Sequence, residues 1–186
     1  MNHQSHISRT VSNQGIIDKL AKFGVNEENY QKASILMLPE NLFSTDSLNE
    51  LYETPDMILI KKLLIKNGVE VFSFDDIDID LVAYDRRTAN HWLGSMWIKD
   101  KHVIDLIIAT LAGVIATGIS DAIKSPPPAP RAPSGQISSI EKLPTQSEVH
   151  TNIYISNGDG SVTSINYKGD PKTLIDILKE IKHRDD

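Results

Sequence analysis

Aspartates occupy every second position in one short stretch of the chain. Asp76, Asp78 and Asp80 alternate with Ile77, Ile79 and a following leucine, so on a β-strand their carboxylates would project from one face. Three carboxylates on one face could hold a Mg²⁺ or Ca²⁺ ion, because both ions prefer oxygen ligands. The alternative interpretation is the solvated face of an amphipathic strand, whose charges protect an exposed edge from pairing.

The aspartate stretch and a later segment together resemble the core of restriction-type nucleases. Those enzymes combine an aspartate strand with a Glu/Gln-x-Lys strand that binds metal and activates water. Here residues 78–85 are followed by Trp97, Ile98 and Lys99, and Trp97 stands where the second acidic ligand is needed. A metal-dependent, nuclease-like hydrolase that uses Asp76, Asp78 and Asp80 is kept as the alternative function, although the chain lacks this second acidic ligand.

Other kinds of catalytic and binding chemistry find no support in the sequence. The chain has no cysteine, which excludes disulfides, thiolate metal sites and cysteine nucleophiles. The glycine-rich turn at Gly158 and Gly160 lacks the lysine and the Ser/Thr of a phosphate-binding loop. A net charge of −6 and a pI near 5.5 argue against a basic nucleic-acid-binding surface. We expect no catalytic residues and no cofactor.

The length and composition are those of a globular protein with an α+β fold. The 186 residues are 40% apolar and 24% charged, enough for one domain with a small appendage. We predict an N-terminal domain of helices and three strands over residues 1–124, a proline-rich linker over 125–148 and a ββα unit over 149–186. The three strands are expected at residues 69–74, 77–84 and 90–98.

Helices in the N-terminal domain are indicated by capping residues and apolar periodicity. Residues 15–23 and a segment that begins at Thr54 and Pro55 and ends before Gly68 have both signals. Between them, Asn26 can cap a second helix that continues to Met37. A strand at residues 35–38 is the alternative, and the sequence leaves the two open.

A long apolar helix is predicted over residues 101–124, capped by Asp100. Its 15 residues between Asp105 and Asp121 carry no charge and correspond to about 22 Å of helix. A bilayer core is about 30 Å thick and takes about 20 residues to cross, which residues 103–123 would only just supply. Three environments remain open for this helix: burial in its own domain, insertion into a membrane, and burial in an oligomer.

The apolar helix has one bulky and one small side. Isoleucines, leucines and valines cover one arc, whereas small residues cover the other. Spacing of small residues at i and i+4 lets helix backbones approach closely, and a water-facing arc would normally carry charged side chains. We therefore predict that both arcs are covered, and that the small arc packs against another helix through Ala109, Ala112, Gly113, Ala116 and Thr117.

The linker and the C-terminal unit differ sharply in composition. Five of the eleven residues at 125–135 are proline, which predicts an exposed spacer. Residues 152–157 and 161–168 predict a hairpin, and Asp170 with Pro171 begins a helix. A unit of under about 40 residues cannot build a sufficient core alone, so it needs the N-terminal domain, another copy or another protein. Its candidate interaction residues are Ile153, Ile155, Ile165, Tyr167, Leu174, Leu178 and Ile181.

The layout of residues 103–182 resembles small accessory components of bacterial conflict systems. The similarity is to the effector-associated constant components, and it rests on the helix LIIATLAGVIATGI and on the strand–DG–strand–helix unit that begins NIYISNGDG. The resemblance implies a non-enzymatic accessory or adaptor protein beside an effector in anti-phage defence. Its partners would be another protein or a second copy, with membrane contact through residues 103–123. We expect it in the cytoplasm or at the cytoplasmic face of the inner membrane.

Overall fold

Helices and strands follow one another along the whole described chain. The structure is a computed structural model that describes residues 4–8, 12–79, 81–83, 91–117 and 148–183. In chain order its elements are β1 (Gln4–Ser8), α1 (Asn13–Lys22), α2 (Glu27–Tyr30), β2 (Ile35–Leu38), β3 (Tyr52–Glu53), α3 (Pro55–Lys66), β4 (Val71–Phe72), β5 (Val82–Ala83), β6 (His91–Ile98), α4 (Ile104–Thr117), β7 (Val149–Ser156), β8 (Val162–Gly169) and α5 (Pro171–His183). The α+β class is confirmed.

A mixed six-stranded sheet joins the two ends of the chain. Its order is β1-β8-β7-β6-β2-β4, with β6 parallel to β7, β2 parallel to β4, and the other neighbours antiparallel. The ββα unit therefore shares one sheet with the N-terminal residues. Its partner is the N-terminal part of the same chain, the first of the three alternatives.

One face of the sheet is covered by α3, α4 and α5, and the main core lies between them. The residues predicted to give the C-terminal unit an interaction surface all lie in this core, none more than 8% exposed. Burial against the rest of their own chain is what stabilises the unit. The contact with the N-terminal part is made through Ile153, Ile155, Ile165, Tyr167, Leu174, Leu178 and Ile181.

The other face of the sheet is covered by α1, α2 and the segment that follows β2. Leu36 and Leu38 point into this second core, together with Trp97 and Phe72, whereas Ile35 and Met37 point into the first. A strand buried on both faces has an unbroken apolar run rather than an alternating one. The strand alternative for residues 35–38 is therefore right, and a helix continuing to Met37 is wrong.

The aspartate stretch does not form the predicted strand at residues 77–84. Residues Phe74–Ile77 form a 3-10 helix, and Asp78 follows in a left-handed conformation with φ of 57°. The Asp76 carboxylate accepts a hydrogen bond of 2.7 Å from the Ser73 N–H, the capping interaction by which short polar side chains compete with strand formation. Of the residues described in this stretch, Val82–Ala83 pair as a strand, with β3 in a separate two-stranded sheet. Asp80 lies outside the described residues.

The apolar helix is shorter in the described structure than the 101–124 prediction. Residues Lys101–Val103 form a 3-10 turn capped by the Asp100 carboxylate, and α4 follows to Thr117. The predicted residues 118–124, like the linker residues 125–147, lie outside the described ranges. Among the helices described, none combines the length and the hydrophobicity that crossing a bilayer requires. In the described structure α4 lies in the helix layer between α3 and α5.

Candidate functional site

Helix α4 presents small and apolar side chains to the outside of the molecule. Its bulky side faces inward as predicted: Ile104, Ile107 and Leu111 are at most 3% exposed. On the opposite side, next to the exposed Asp105, four uncharged residues are exposed, and Leu106 keeps 38% of its accessible surface. We call this set the outer arc; it consists of Leu106, Ala109, Ala112 and Gly113. The side chains of Ala116 and Thr117, predicted for the same arc, lie outside the described part of the chain.

The outer arc is open to close approach by another surface. A Cβ built at Gly113 meets no atom within 4 Å, so none of the described residues fills the space where it would stand. Ala109 and Gly113 stand one helical turn apart, the spacing that permits backbones to pack closely. Beyond Asp105 the arc carries no charge over Leu106, Ala109, Ala112 and Gly113, which is unusual for a helix face in water.

Helix α4 is fixed by polar contacts to both neighbouring helices. The Asn67 side chain, just after α3, donates a hydrogen bond of 2.7 Å to the hydroxyl of Thr110. Near the start of α4, Asp105 forms an ion pair of 2.6 Å with Lys182 of α5. The outer arc therefore sits on a rigid element, as a docking surface requires.

A lysine ammonium occupies the centre of the acidic region that the sequence proposed as a metal site. Lys61 Nζ lies 2.8 Å from Asp75 Oδ1 and 3.3 Å from Asp76 Oδ1, and it also donates to the Ser73 hydroxyl. Burial would raise the pKa of Asp75, but hydrogen bonds from Lys61 and Ser73 hold it below its ordinary value. Burial, with Asp75 nearby, raises the pKa of Glu53. The region is an ion-pair network.

Among the described residues, the predicted ligands Asp76 and Asp78 form no metal site. Asp76 is bonded to Ser73 and Lys61, and Asp78 follows the 3-10 helix in its left-handed conformation. Across the described ranges no group of three His, Asp or Glu side chains could hold a metal ion. The geometry therefore does not favour the metal-dependent hydrolase.

The residues that carry the nuclease resemblance also have structural roles. Trp97 is buried, and its indole Nε1 donates a hydrogen bond of 2.8 Å to the hydroxyl of Ser156. Lys99 Nζ donates to the main-chain carbonyls of Tyr30 and Gln31, at 3.0 and 3.3 Å. Lys99 is thus directed towards α2 rather than towards the aspartates.

A cleft that the sequence did not indicate opens where β6 and β7 end. Its volume is about 630 Å³. The segment after β6 supplies one wall and the hairpin turn after β7 supplies the other. We call it the β6–β7 cleft. Its lining includes Lys99, Asp100, Lys101, His102, Asn157 and Asp159. Sequence reasoning missed it because its two walls, residues 99–102 and 156–159, are far apart in the sequence and meet only through the β6–β7 pairing.

Comparisons with known proteins identify no relative: no family model, no curated protein and no solved structure matches the chain.

Proposed function

We propose that the chain is a non-enzymatic assembly protein that docks through the outer arc of α4 onto a second copy of itself. The observation that carries the proposal is the exposure of Leu106, Ala109, Ala112 and Gly113, four uncharged residues beyond Asp105, on a rigid helix. Covering such a face with a partner removes apolar surface from water, which is the main driving force of association.

A second copy is the occupant that best fits the arc. Two-fold symmetric dimers bring the same patch of both subunits together, and small side chains on both helices then allow the closest backbone approach. A stable interface buries about 800 Å² on each partner, more than one helical arc supplies. Ile65 on α3, which is 50% exposed, offers further apolar surface on the same layer of helices.

The wider role proposed follows the resemblance given above. Small accessory components of bacterial conflict systems act beside an effector, and a dimer formed through α4 would present two copies of the remaining surface to such a partner. The non-enzymatic character is supported by the Lys61 ion-pair network in the region where the aspartates were expected to bind metal.

Two matched variants test the docking surface. Ala109 on α4 and Ala21 on α1 are both exposed helical alanines, and they lie on opposite sides of the sheet. Glutamate is one of the better helix formers, so Ala109→Glu and Ala21→Glu should both fold. In the dimer, however, the Ala109→Glu carboxylate would be buried without a partner, which is costly.

Sedimentation equilibrium gives the result. We expect the wild type and Ala21→Glu to dimerise and Ala109→Glu to remain monomeric. The protein concentrations should extend below and above about 1 μM, taken as the dissociation constant of the dimer. A wild type that stays monomeric throughout, or an Ala109→Glu variant that dimerises like Ala21→Glu, would contradict the proposal. Flotation with lipid vesicles is the second readout. If the wild type and Ala21→Glu bind vesicles and Ala109→Glu does not, the occupant of the outer arc is a membrane and not a second copy.

A further inference from the structure

The two-stranded sheet of β3 and β5 leaves large apolar side chains exposed at its edge. Val82 of β5 keeps 54% of its accessible surface, and Leu48, in the 3-10 turn before β3, keeps 41%. Their main chains meet at Leu51, whose N–H donates to the Leu48 carbonyl at 3.2 Å and whose carbonyl accepts from the Val82 N–H at 3.1 Å. Apolar side chains that are exposed together need an explanation, whereas single ones do not.

Strand β5 has an open edge beside these side chains. It pairs with β3 on one side, Tyr52 with Val82 and Glu53 with Ala83. Among the strands that the structure describes, none pairs with its other side. The Val82 N–H points towards β3, so that of Ala83 points away from it, because these groups alternate along a strand. An extended segment of another chain can add to such an edge through main-chain hydrogen bonds.

The two faces of this edge differ in chemistry. Successive side chains of a strand point to opposite faces, so Val82 lies on one face and the paired Ala83 and Glu53 lie on the other. Burial raises the pKa of Glu53, and the nearby Asp75 carboxylate adds to the effect, although Lys61 opposes it. The charged form of Glu53 is therefore incompletely compensated, and a cation from outside would stabilise it.

The segments around this edge carry acidic side chains and no basic ones. Residues 44–56 and 70–79 contain four Asp or Glu residues each and no Lys, Arg or His. Lysines of α1 and α3 pair with three of these carboxylates, but no described ion pair includes Glu50, Glu53 or Asp78. Complementary charge steers association and selects the partner, so a basic partner fits this edge.

We propose that the acidic edge, which consists of Leu48, Glu50, Glu53, Asp78 and Val82, binds an extended segment of a partner protein in which apolar residues alternate with lysine or arginine. The segment adds to β5 as a third strand. Its apolar side chains cover Val82 beside Leu48, and its basic side chains lie on the face of Glu53. The inference names the chemistry of the partner that the proposed function leaves open, and for that role it rests on the proposed function.

Fluorescence anisotropy of labelled synthetic peptides, titrated with the full chain, tests the inference. One peptide alternates lysine with valine. Two control peptides of the same length alternate glutamate with valine and lysine with serine. We expect the lysine–valine peptide to bind at least about tenfold more tightly than either control, a factor that corresponds to about 1.4 kcal/mol. Raising the salt concentration should weaken this binding, because salt screens exposed charges.

Matched variants locate the binding on the acidic edge. Glu53→Gln should weaken binding of the lysine–valine peptide about tenfold, since a charged hydrogen-bond partner is lost. Asp176→Asn, which neutralises an exposed carboxylate on α5, should leave the affinity unchanged. Val82→Ser should weaken binding to a similar degree because apolar burial is lost, and Val82→Ile, which keeps the apolar surface, should not. The urea midpoint of each variant shows whether it is folded.

The Ala109→Glu variant separates this inference from docking through α4. Its acidic edge is intact, so it should bind the lysine–valine peptide as the wild type does. A wild type that binds the peptide but stays monomeric would contradict the α4 proposal alone. A wild type that dimerises but does not bind the peptide would contradict the acidic-edge inference alone.

Three further outcomes would overturn the inference. Equal affinity for the lysine–valine and lysine–serine peptides, or equal weakening by Glu53→Gln and Asp176→Asn, would reduce the effect to net charge. Loss of the dimer in Val82→Ser without any peptide present would make a second copy the occupant. Peptide binding that appears only after Arg86→Gln and Arg87→Gln, at the basic residues that follow β5 in the sequence, would make the chain's own segment the occupant.

Discussion

Gly94 is the position in β6 where a single added methyl group should disturb the fold most. Its φ is 81°, and a Cβ there would lie 2.7 to 2.9 Å from three atoms of the Met57 side chain in α3. The pairing of β6 with β7 shifts register between Trp92 and Ser95, and the Gly94 carbonyl accepts a buried hydrogen bond from Thr151. Gly94 thus joins the N-terminal helix layer to the C-terminal strands.

The expected cost of Gly94→Ala has two parts. A left-handed conformation costs a residue with a Cβ about 1–2 kcal/mol, and overpacking a core costs about 1–3 kcal/mol. We therefore expect the free energy of unfolding to fall by about 2–5 kcal/mol, the sum of these ranges. Urea unfolding followed by the fluorescence of the chain's two tryptophans measures it.

A matched glycine separates the two parts. Gly24 has nearly the same φ, 80°, but a Cβ there meets nothing within 4 Å, so Gly24→Ala should cost only the conformational part. A Met57→Ala background removes two of the three close atoms but keeps the Met57 Cβ at 2.9 Å, so there the additional cost of Gly94→Ala should fall but stay above that of Gly24→Ala. If Gly94→Ala costs no more than Gly24→Ala, the close packing of β6 on α3 is refuted.

The remaining predictions concern the C-terminal helix and one surface carboxylate. Leu178 is fully buried in the shared core, so Leu178→Ala should lower the free energy of unfolding of the whole chain by about 2–5 kcal/mol in a single urea transition; two separate transitions would mean that the ββα unit folds apart. Hydrogen bonds from Lys22 and Lys19 lower the pKa of Asp46 to about 2. The interaction of Asp46 with these two lysines therefore stabilises the protein above the ordinary carboxyl pKa, and this stabilisation is lost as the pH falls towards 2. NMR titration should show that pKa rising in Lys22→Met, and an unchanged value would contradict the assignment.

Local signals in the sequence predict several elements closely. The β7–β8 hairpin and α5 follow from alternation, a Gly-Asp-Gly turn and the Asp170-Pro171 helix start, and α3 follows from the Thr54 cap, whose hydroxyl accepts from the Met57 N–H. Such signals depend on residues a few positions apart, so the elements that they predict do not depend on how distant segments of the chain pair.

The pairing of distant segments could not be read in the same way. Strand β6 pairs with β7 across an interval of about fifty residues, and β1 pairs with β8 across the length of the chain. Apolar strands fit many partners, and only the complete sheet selects among them. The cleft and the integration of the C-terminal unit both depend on these pairings, which is why neither was predicted.

The aspartate stretch shows how a local competitor can override a periodic pattern. Alternation at residues 76–80 favours a strand, yet the Ser73 cap and the Lys61 ion pairs hold Asp75 and Asp76 in a 3-10 turn. The periodicity of α4 had no such competitor: Ile104, Ile107 and Leu111 of the bulky arc are buried, whereas Leu106 is exposed beside the small residues. The expectation that the outer arc is covered stays a prediction.

Disulfide cross-linking tests the proposed α4 interface most directly, because the chain contains no cysteine of its own. Gly113→Cys places one thiol on the outer arc, where a Cβ meets nothing within 4 Å, and Ala21→Cys places one on α1 as the control. A disulfide needs Cα atoms within about 7 Å. We expect mild oxidation to link two copies of Gly113→Cys rapidly and Ala21→Cys hardly at all; equal rates for the two variants would contradict docking through α4.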